Sequence, residues 1–156
     1  MNNIFNKIED FYIKVPQEKA ILGLDFGEKT IGIAISDPSK SLALSLKTIF
    51  RLKFNVDAKE INNIVNTRNI GGIIIGLPIN MDGSEGSRCQ STRAFARNLS
   101  KIILLPISFW DERLSTISAK KILIETKKTR TKRKKIIDTI AATIILQCAL
   151  DRIKNL

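Results

Sequence analysis

The stretch that decides the fold is "LGLDFG", residues 22–27, in which one acidic residue interrupts an apolar, glycine-containing run. The apolar character predicts a buried β-strand, and alternation along that strand places Gly23, Asp25 and Gly27 on one face. Two interpretations of Asp25 are open at this point. It is either a turn aspartate at a strand end, or a carboxylate on an open surface that a metal ion or a phosphate approaches.

Outward from this stretch, the pattern predicts an α/β fold with the element order β-β-β-α-β-α-β-α-α. A hairpin-length gap joins the first two strands, and a third antiparallel strand follows. This order predicts a five-stranded mixed sheet with helices on both faces. Residues 1–19 are expected to be a tethered N-terminal extension of a single domain over 20–156. The strands are predicted at 20–26, 30–36, 41–49, 72–78 and within 101–110, and the helices within 56–70 and at about 87–100, 115–126 and 135–153.

Composition narrows the classes of function. The 156 residues include 26 Lys and Arg against 15 Asp and Glu, a net charge of +11. Such an excess favours a nucleic-acid partner, although a Lys-rich composition from an AT-biased genome would also produce it. The chain has no histidine, which excludes Ser-His-Asp and Cys-His catalysis and histidine metal ligands. Two isolated cysteines, Cys89 and Cys148, and the lack of a secretory signal predict a reducing cytoplasm.

Acidic residues occur at three places where burial is expected to disfavour them. The first is Asp25. The second is the pair Asp111 and Glu112 after an apolar strand, and the third is Asp138 in the apolar helix "KKIIDTIAATIILQCAL". Ligands of α/β sheets gather at the carboxyl ends of strands, and an unpaired carboxylate on a packed helix is costly. The alternatives are a surface ion-pair cluster at "DER", where Arg113 holds one acid, and an exposed first-turn acid at Asp138.

Taken together, three carboxylate positions, the lack of histidine and the positive charge predict a Mg²⁺ or Mn²⁺ site. These hard cations prefer oxygen ligands and share phosphate oxygens with a substrate. Two such ions about 4 Å apart activate a water and stabilise the leaving oxygen in phosphodiester hydrolysis.

Two further segments are candidates for phosphate binding. The loop "GLPINMDGSEGSR", residues 76–88, lacks a P-loop pattern but delivers backbone N–H groups to a helix N-terminus. The run "KKTRTKRKK", residues 127–135, is either a phosphate-gripping loop or a solvated face. The predicted nucleic-acid-binding residues are Lys29, Asn80, Arg88, Arg113, Lys127, Lys128, Arg130, Lys132, Arg133 and Lys134.

Four ordered motifs resemble the YqgF/RuvX family, whose members are described as Holliday junction resolvases or pre-16S rRNA nucleases. They are "LGLDFGEKTIGIAISD", "IIIGLPINMDGSEG", "DERLST" and "IIDTIAATIILQCALD". The resemblance implies a ribonuclease H-like fold, a cytoplasmic location and a divalent-metal nuclease that processes the 5′ end of pre-16S rRNA. An N-terminal extension of about 18 residues and Phe26, where a tyrosine is common, depart from the family pattern.

By motif, the resemblance implies that Asp25, Glu112 and Asp138 hold the metal and that Asp111 is an auxiliary ligand or supports one. The substrate it implies is structured RNA, with branched DNA and junction resolution as the alternative. A non-catalytic nucleic-acid-binding module and an actin-like or sugar-kinase ATPase domain are two further alternatives. The intact set of acids counts against the first, and a chain long enough for only one domain counts against the second.

Overall fold

The protein is described by a computed structural model that covers residues 2–129 and 135–156, with side chains described at 2–126 and 139–156. Six strands and five α-helices are present in this part of the chain, together with one 3₁₀ turn. In chain order they are β1 (Ile4–Phe5), α1 (Ile8–Ile13), β2 (Ala20–Phe26), β3 (Thr30–Ser36), β4 (Ala43–Phe50), α2 (Phe54–Thr67), β5 (Ile70–Leu77), α3 (Ser87–Ile102), β6 (Ile107–Asp111), the 3₁₀ turn (Glu112–Leu114), α4 (Ile117–Thr129) and α5 (Lys135–Lys154).

The six strands form one mixed sheet in the order β1-β6-β5-β2-β3-β4. The β2–β3 and β3–β4 pairs are antiparallel, whereas β2–β5, β5–β6 and β1–β6 are parallel pairs. The predicted α/β architecture is therefore confirmed, but the predicted strand count of five is wrong by one. The extra strand, β1, has only two residues, which is too short for the alternation of a sequence to reveal it.

Helices cover both faces of the sheet, as predicted. Alternation along β2 sends Leu22 and Leu24 into one apolar cluster, which the buried sides of α2 and α3 complete. It sends Ile21 into a second cluster, formed with α1 and α5. We call the side of the sheet that carries Ile21, Gly23 and Asp25 the α5 face. None of the helices in the described part of the chain combines the length and apolarity that crossing a membrane requires.

The N-terminal segment, expected as a tethered extension, is part of the sheet and of the core. Strand β1 pairs with β6, and the Ser108 hydroxyl donates to the Phe5 carbonyl over 2.9 Å. The side chain of Phe11 on α1 is fully buried. A glycine in β5 permits this contact, because a Cβ at Gly72 would lie 2.8 Å from Phe11 Cζ. Close helix–sheet packing therefore joins residues 4–15 to the domain.

Two predicted boundaries differ in ways that matter for the site. The strand expected within 101–110 is limited to β6, because α3 continues to Ile102 and Pro106 directly precedes the pairing. The basic run at 127–135 is not wholly a loop, since α4 continues to Thr129 and α5 begins at Lys135. Straight-chain basic residues are good helix formers, which accounts for the longer α4.

Candidate active site

Asp25 lies near the carboxyl end of β2 on the α5 face and is only 5% exposed. Its partner across the β2–β3 ladder is Gly32. On the other side, Leu24 pairs with Ile75, so Gly76 is the neighbour of Asp25 on β5. The carboxylate therefore lies between two glycines, on strands about 4.8 Å away on either side.

The open surface expected around Gly23 is not present. A Cβ at this position would lie 2.7 Å from Leu146 Cβ and 3.3 Å from the Ala142 carbonyl oxygen. Gly23 therefore lets α5 pack directly on β2, one strand repeat before Asp25. Its role is a close helix–sheet approach, not clearance for a phosphate.

Glu112 comes from the turn after β6 and reaches the same face. A Cβ at Gly76 would lie 3.3 Å from Glu112 Oε2 and 2.4 Å from Ile145 Cδ1. The Glu112 carboxylate therefore lies over Gly76, on the strand adjacent to Asp25. Residues far apart in sequence are brought together here because β5 and β6 pair in parallel, with Gly76 opposite Trp110.

Asp111 is adjacent to Glu112 in sequence but has a different environment. Arg113 donates to both carboxylate oxygens of Asp111, with Nη2 to Oδ2 at 2.8 Å, and its backbone N–H donates to Oδ1 over 3.0 Å. Partial burial by itself disfavours the charged carboxylate, but these hydrogen bonds outweigh it and hold the pKa of Asp111 below its ordinary value. Asp111 therefore caps the 3₁₀ turn and orients Arg113.

A side-chain hydrogen bond between Trp110 and Ser115 fixes the turn that carries Glu112. The indole Nε1–H of Trp110 donates to the Ser115 hydroxyl over 3.0 Å, and both residues are buried. This bond closes the chain over residues 110–115 and so limits where Glu112 points. Neither Trp110 nor Ser115 was predicted from the sequence to have a role in the site. An indole five residues before a serine, across an acidic turn, is a weak signal without the structure.

Two arginines hold the β2–β3 hairpin that follows Asp25. The Arg88 guanidinium donates to the Phe26 carbonyl over 3.1 Å, and that of Arg51 donates to the carbonyls of Gly27 and Glu28. Arg51 also lies 4.2 Å above the ring of Phe26. Arg51 was missed from the sequence because nothing local links it to the hairpin. Since Phe26 belongs to the cluster opposite the α5 face, the tyrosine common in the family would place its ring away from Asp25.

The predicted phosphate loop is a compact turn beside Arg113. Its Asn80 Nδ2 donates to the Ser84 hydroxyl over 3.0 Å, and Gly83 adopts a φ of 88°. A Cβ at Gly83 would lie 3.4 Å from Arg113 Nη1. Asn80 and Arg88 are exposed, as is Lys29 at the tip of the β2–β3 hairpin. Three of the predicted binding residues thus lie at the carboxyl ends of the strands.

The remaining predicted site residues lie outside the described side chains. They are Asp138, Lys127, Lys128, Arg130, Lys132, Arg133 and Lys134. The backbone of Asp138 is in the first turn of α5, four residues before Ala142, whose carbonyl oxygen approaches Gly23. Within residues 2–126 and 139–156, no group of three or more potential metal-ligating side chains is present.

Comparisons with known proteins give one family and one fold. Residues 19–152 match the family RuvX, described as Holliday junction resolvase. A protein of Ruegeria sp. (strain TM1040), named "Putative pre-16S rRNA nuclease", is 54% identical over 153 residues, 98% of each chain. One of the same name from Ruegeria pomeroyi is also 54% identical, over 98% of this chain and 99% of its own. These relatives share nearly the full length, so the N-terminal segment is no departure from them.

Among solved structures, Thermus thermophilus RuvC in complex with a Holliday junction substrate has a TM-score of 0.53 and 9% sequence identity. The match covers 86% of this chain and 96% of RuvC. A second structure of the same protein has a TM-score of 0.52. At this identity the likeness concerns the fold alone, and it agrees with the predicted ribonuclease H-like architecture.

Proposed function

The chain belongs to the RuvX family, and from that premise we propose that it is a divalent-metal-dependent nuclease that trims the 5′ end of pre-16S rRNA. The observation that carries the proposal is the placement of Asp25 and Glu112 on one face of the sheet, with the Glu112 carboxylate over Gly76, the neighbour of Asp25 on β5. The names of the full-length relatives support ribosomal RNA as the substrate. Such a substrate also implies a cytoplasmic location.

The residues fit a hard divalent cation. Asp25 is a nearly buried acid, and the oxygens of Asp25 and Glu112 are the donor type that Mg²⁺ and Mn²⁺ prefer. Asp138 is the third ligand in this proposal. Its backbone lies in the first turn of α5, one helical turn before Ala142. When bound, the ions supply charge stabilisation and an activated water for hydrolysis.

The chain's own groups bind and orient the substrate. Arg88 and Lys29 lie at the strand ends beside Asp25, where a phosphodiester needs cationic donors. Asn80 and the backbone N–H groups at the start of α3 add neutral donors. Arg113 is held by Asp111 and faces the loop at Gly83, so we assign it a phosphate contact at the loop side. The basic residues from Lys127 to Lys134 extend the cationic surface in this proposal.

Branched DNA is the second candidate substrate, and the family description supports it. A test compares cleavage of a pre-16S 5′-leader RNA, a four-way DNA junction and ATP in Mg²⁺ or Mn²⁺. The proposal predicts metal-dependent cleavage of the leader, with the junction cut more slowly and ATP untouched. Preferred cleavage of the junction would favour resolution of branched DNA. Binding of both nucleic acids without any cleavage would favour a non-catalytic module.

A further inference from the structure

Phe50, the last residue of β4, is an aromatic side chain left 47% exposed on the same face of the sheet as Asp25. The strand pairing shows that Phe50 and Asp25 share this face. Asp25 pairs with Gly32, Gly32 pairs with Thr48, and paired residues point to the same side. Phe50 lies two residues beyond Thr48, so it is on that side as well.

The position of Phe50 relative to Asp25 follows from sheet geometry. The two residues are separated by two strand spacings, about 10 Å, and by two residues along the strand, about 7 Å. A nucleic-acid strand whose phosphate lies at Asp25 would therefore bring a base one or two nucleotides away close to Phe50. The path from Asp25 to Phe50 runs toward the carboxyl end of β2, where the proposed substrate contacts Lys29 and Arg88.

Lys29 brings a positive charge to the hairpin beside Phe50, since the next residue, Thr30, pairs with Phe50. The backbone N–H of Arg51 donates to the Lys29 carbonyl over 2.9 Å, which joins the end of β4 to the hairpin tip. Lys29 and Lys53 are exposed, and the acids nearby are the exposed Glu28 and the buried Asp57, which accepts from the Leu52 backbone N–H. Exposed aromatic rings on which bases stack, together with cationic side chains that contact the phosphates, are the means by which proteins hold single-stranded nucleic acid.

We propose that Phe50 is a stacking platform for an unpaired base next to the cleaved phosphodiester, with Lys29 and Lys53 contacting the neighbouring phosphates. The inference rests on the proposed nuclease function and adds to it a requirement for an unpaired nucleotide. Arg51 fixes the hairpin through Gly27 and Glu28 from the opposite face of the sheet, where its guanidinium lies over the Phe26 ring. An unpaired base in RNA and one in DNA both offer the same aromatic face, so the ring selects single strands, not one sugar.

The experiment measures binding without cleavage. A 12-nucleotide RNA with one 2-aminopurine, the same sequence in DNA, and the RNA paired with its complement are titrated with the full-length protein in EDTA. Stacking on an aromatic ring quenches the emission of 2-aminopurine. The variants are Phe50→Trp, Phe50→Leu and Phe50→Ala. Leu104→Ala is the control, because Leu104 is 82% exposed and precedes β6, at the opposite end of the strands.

We expect Phe50→Leu and Phe50→Ala to lose the quenching and to bind single strands about 5- to 100-fold more weakly. Phe50→Trp and Leu104→Ala should bind as the wild type, and the duplex should show no quenching. Wild-type binding by Phe50→Leu would overturn the proposal and assign the ring an apolar covering or protein-docking role. Unchanged melting of each variant confirms that its fold is intact.

The experiments can reject either of the two proposals without rejecting the other. If the wild type cleaves the leader RNA but the Phe50 series changes neither binding nor quenching, the stacking site is wrong and the nuclease stands. If the series behaves as expected while the wild type cleaves no substrate, the binding site stands and the catalytic proposal fails.

Discussion

The two faces of the sheet in the β2 region are built from alternate residues of the same strand, yet they differ in chemistry. On the face covered by α2 and α3, Leu22, Leu24 and Phe26 are apolar, and Phe26 stacks on Phe95 with ring centroids 4.2 Å apart. On the α5 face, the apolar packing stops before the strand ends, and Asp25 is there. At the end of β2, the face covered by α2 and α3 therefore contributes apolar packing, whereas the α5 face carries a charged side chain there instead.

The largest effect is expected for Asp25→Asn. Asparagine keeps the size of the side chain but removes the charge that holds a cation, so metal-dependent cleavage should fall below detection. Without metal, the variant should melt at or above the wild-type temperature, since one acid of a crowded group has been neutralised. Cleavage in Mg²⁺ or Mn²⁺ and thermal melting in EDTA are measured on the same preparations.

If Asp25 were a structural acid, the outcome would be different. The swap would then break a charge-assisted hydrogen bond and cost about 1.5–3 kcal/mol of unfolding free energy. Retention of full activity would reject Asp25 as an essential ligand.

The next prediction compares two glycine substitutions on β5, of which one affects packing alone and the other affects packing and catalysis. Gly76→Ala places a Cβ against Ile145 and Glu112, whereas Gly72→Ala places one against Phe11 and Val15. Both should destabilise the protein by about 1–3 kcal/mol through overpacking. Only Gly76→Ala should also slow the cleavage step, by about 100-fold, because it displaces Glu112.

Urea unfolding and single-turnover cleavage report the two quantities. Gly72→Ala is the matched control, with the same strand, face and substitution. An equal loss of cleavage rate in the two variants would mean that Gly76 matters only for packing.

A smaller effect is expected from the basic run. Replacing Lys132, Arg133 and Lys134 by glutamine should weaken nucleic-acid binding and reduce the slope of log K against log salt by about 2, since fewer counterions are released. The control replaces Lys19, Arg68 and Lys101, which lie at the amino ends of the strands. A slope equal to that of the wild type would identify the run as a solvated face.

The smallest effect concerns the pH dependence of stability. The pKa of Asp111 is held below its ordinary value of 3.8 by Arg113, although burial opposes this. The pair therefore stabilises the fold above that ordinary value, and the contribution is lost as the pH falls through the lower pKa of the folded state. Arg113→Gln should reduce the urea midpoint at about pH 7, and the difference should shrink as the pH falls below 3.8. A difference that stays constant with pH would mean that Asp111 is not the partner that matters.

The parts of this fold that could be predicted from sequence are those written in local patterns. The β2–β3 hairpin, the acid in β2 and the apolar helix at the C-terminus each have a period or a turn that short-range physics dictates. The N-terminal β1 could not be predicted, because two residues have no period. Its stability comes from pairing with Ile107 and Ser108, about a hundred residues away.

The roles of the site residues also could be predicted only in part from the sequence. Sequence marks both Asp111 and Glu112 as acids at a strand end, but only the structure shows that Arg113 holds the first and that the second lies over Gly76. Arg51 is the opposite case, since it carries no motif yet bonds the hairpin beside Asp25. Long-range register and side-chain direction decide these roles, and neither is readable from neighbours in the chain.

The central claim, that catalysis belongs to the acids on the α5 face, is tested most directly by comparing Glu112→Gln with Asp111→Asn. The two substitutions are chemically matched and concern adjacent residues. In saturating Mn²⁺, single-turnover cleavage by Glu112→Gln should fall as far as that by Asp25→Asn. Asp111→Asn, which loses only the pairing with Arg113, should keep the rate within about tenfold of the wild type. Loss of cleavage in Asp111→Asn with retention in Glu112→Gln would contradict the account.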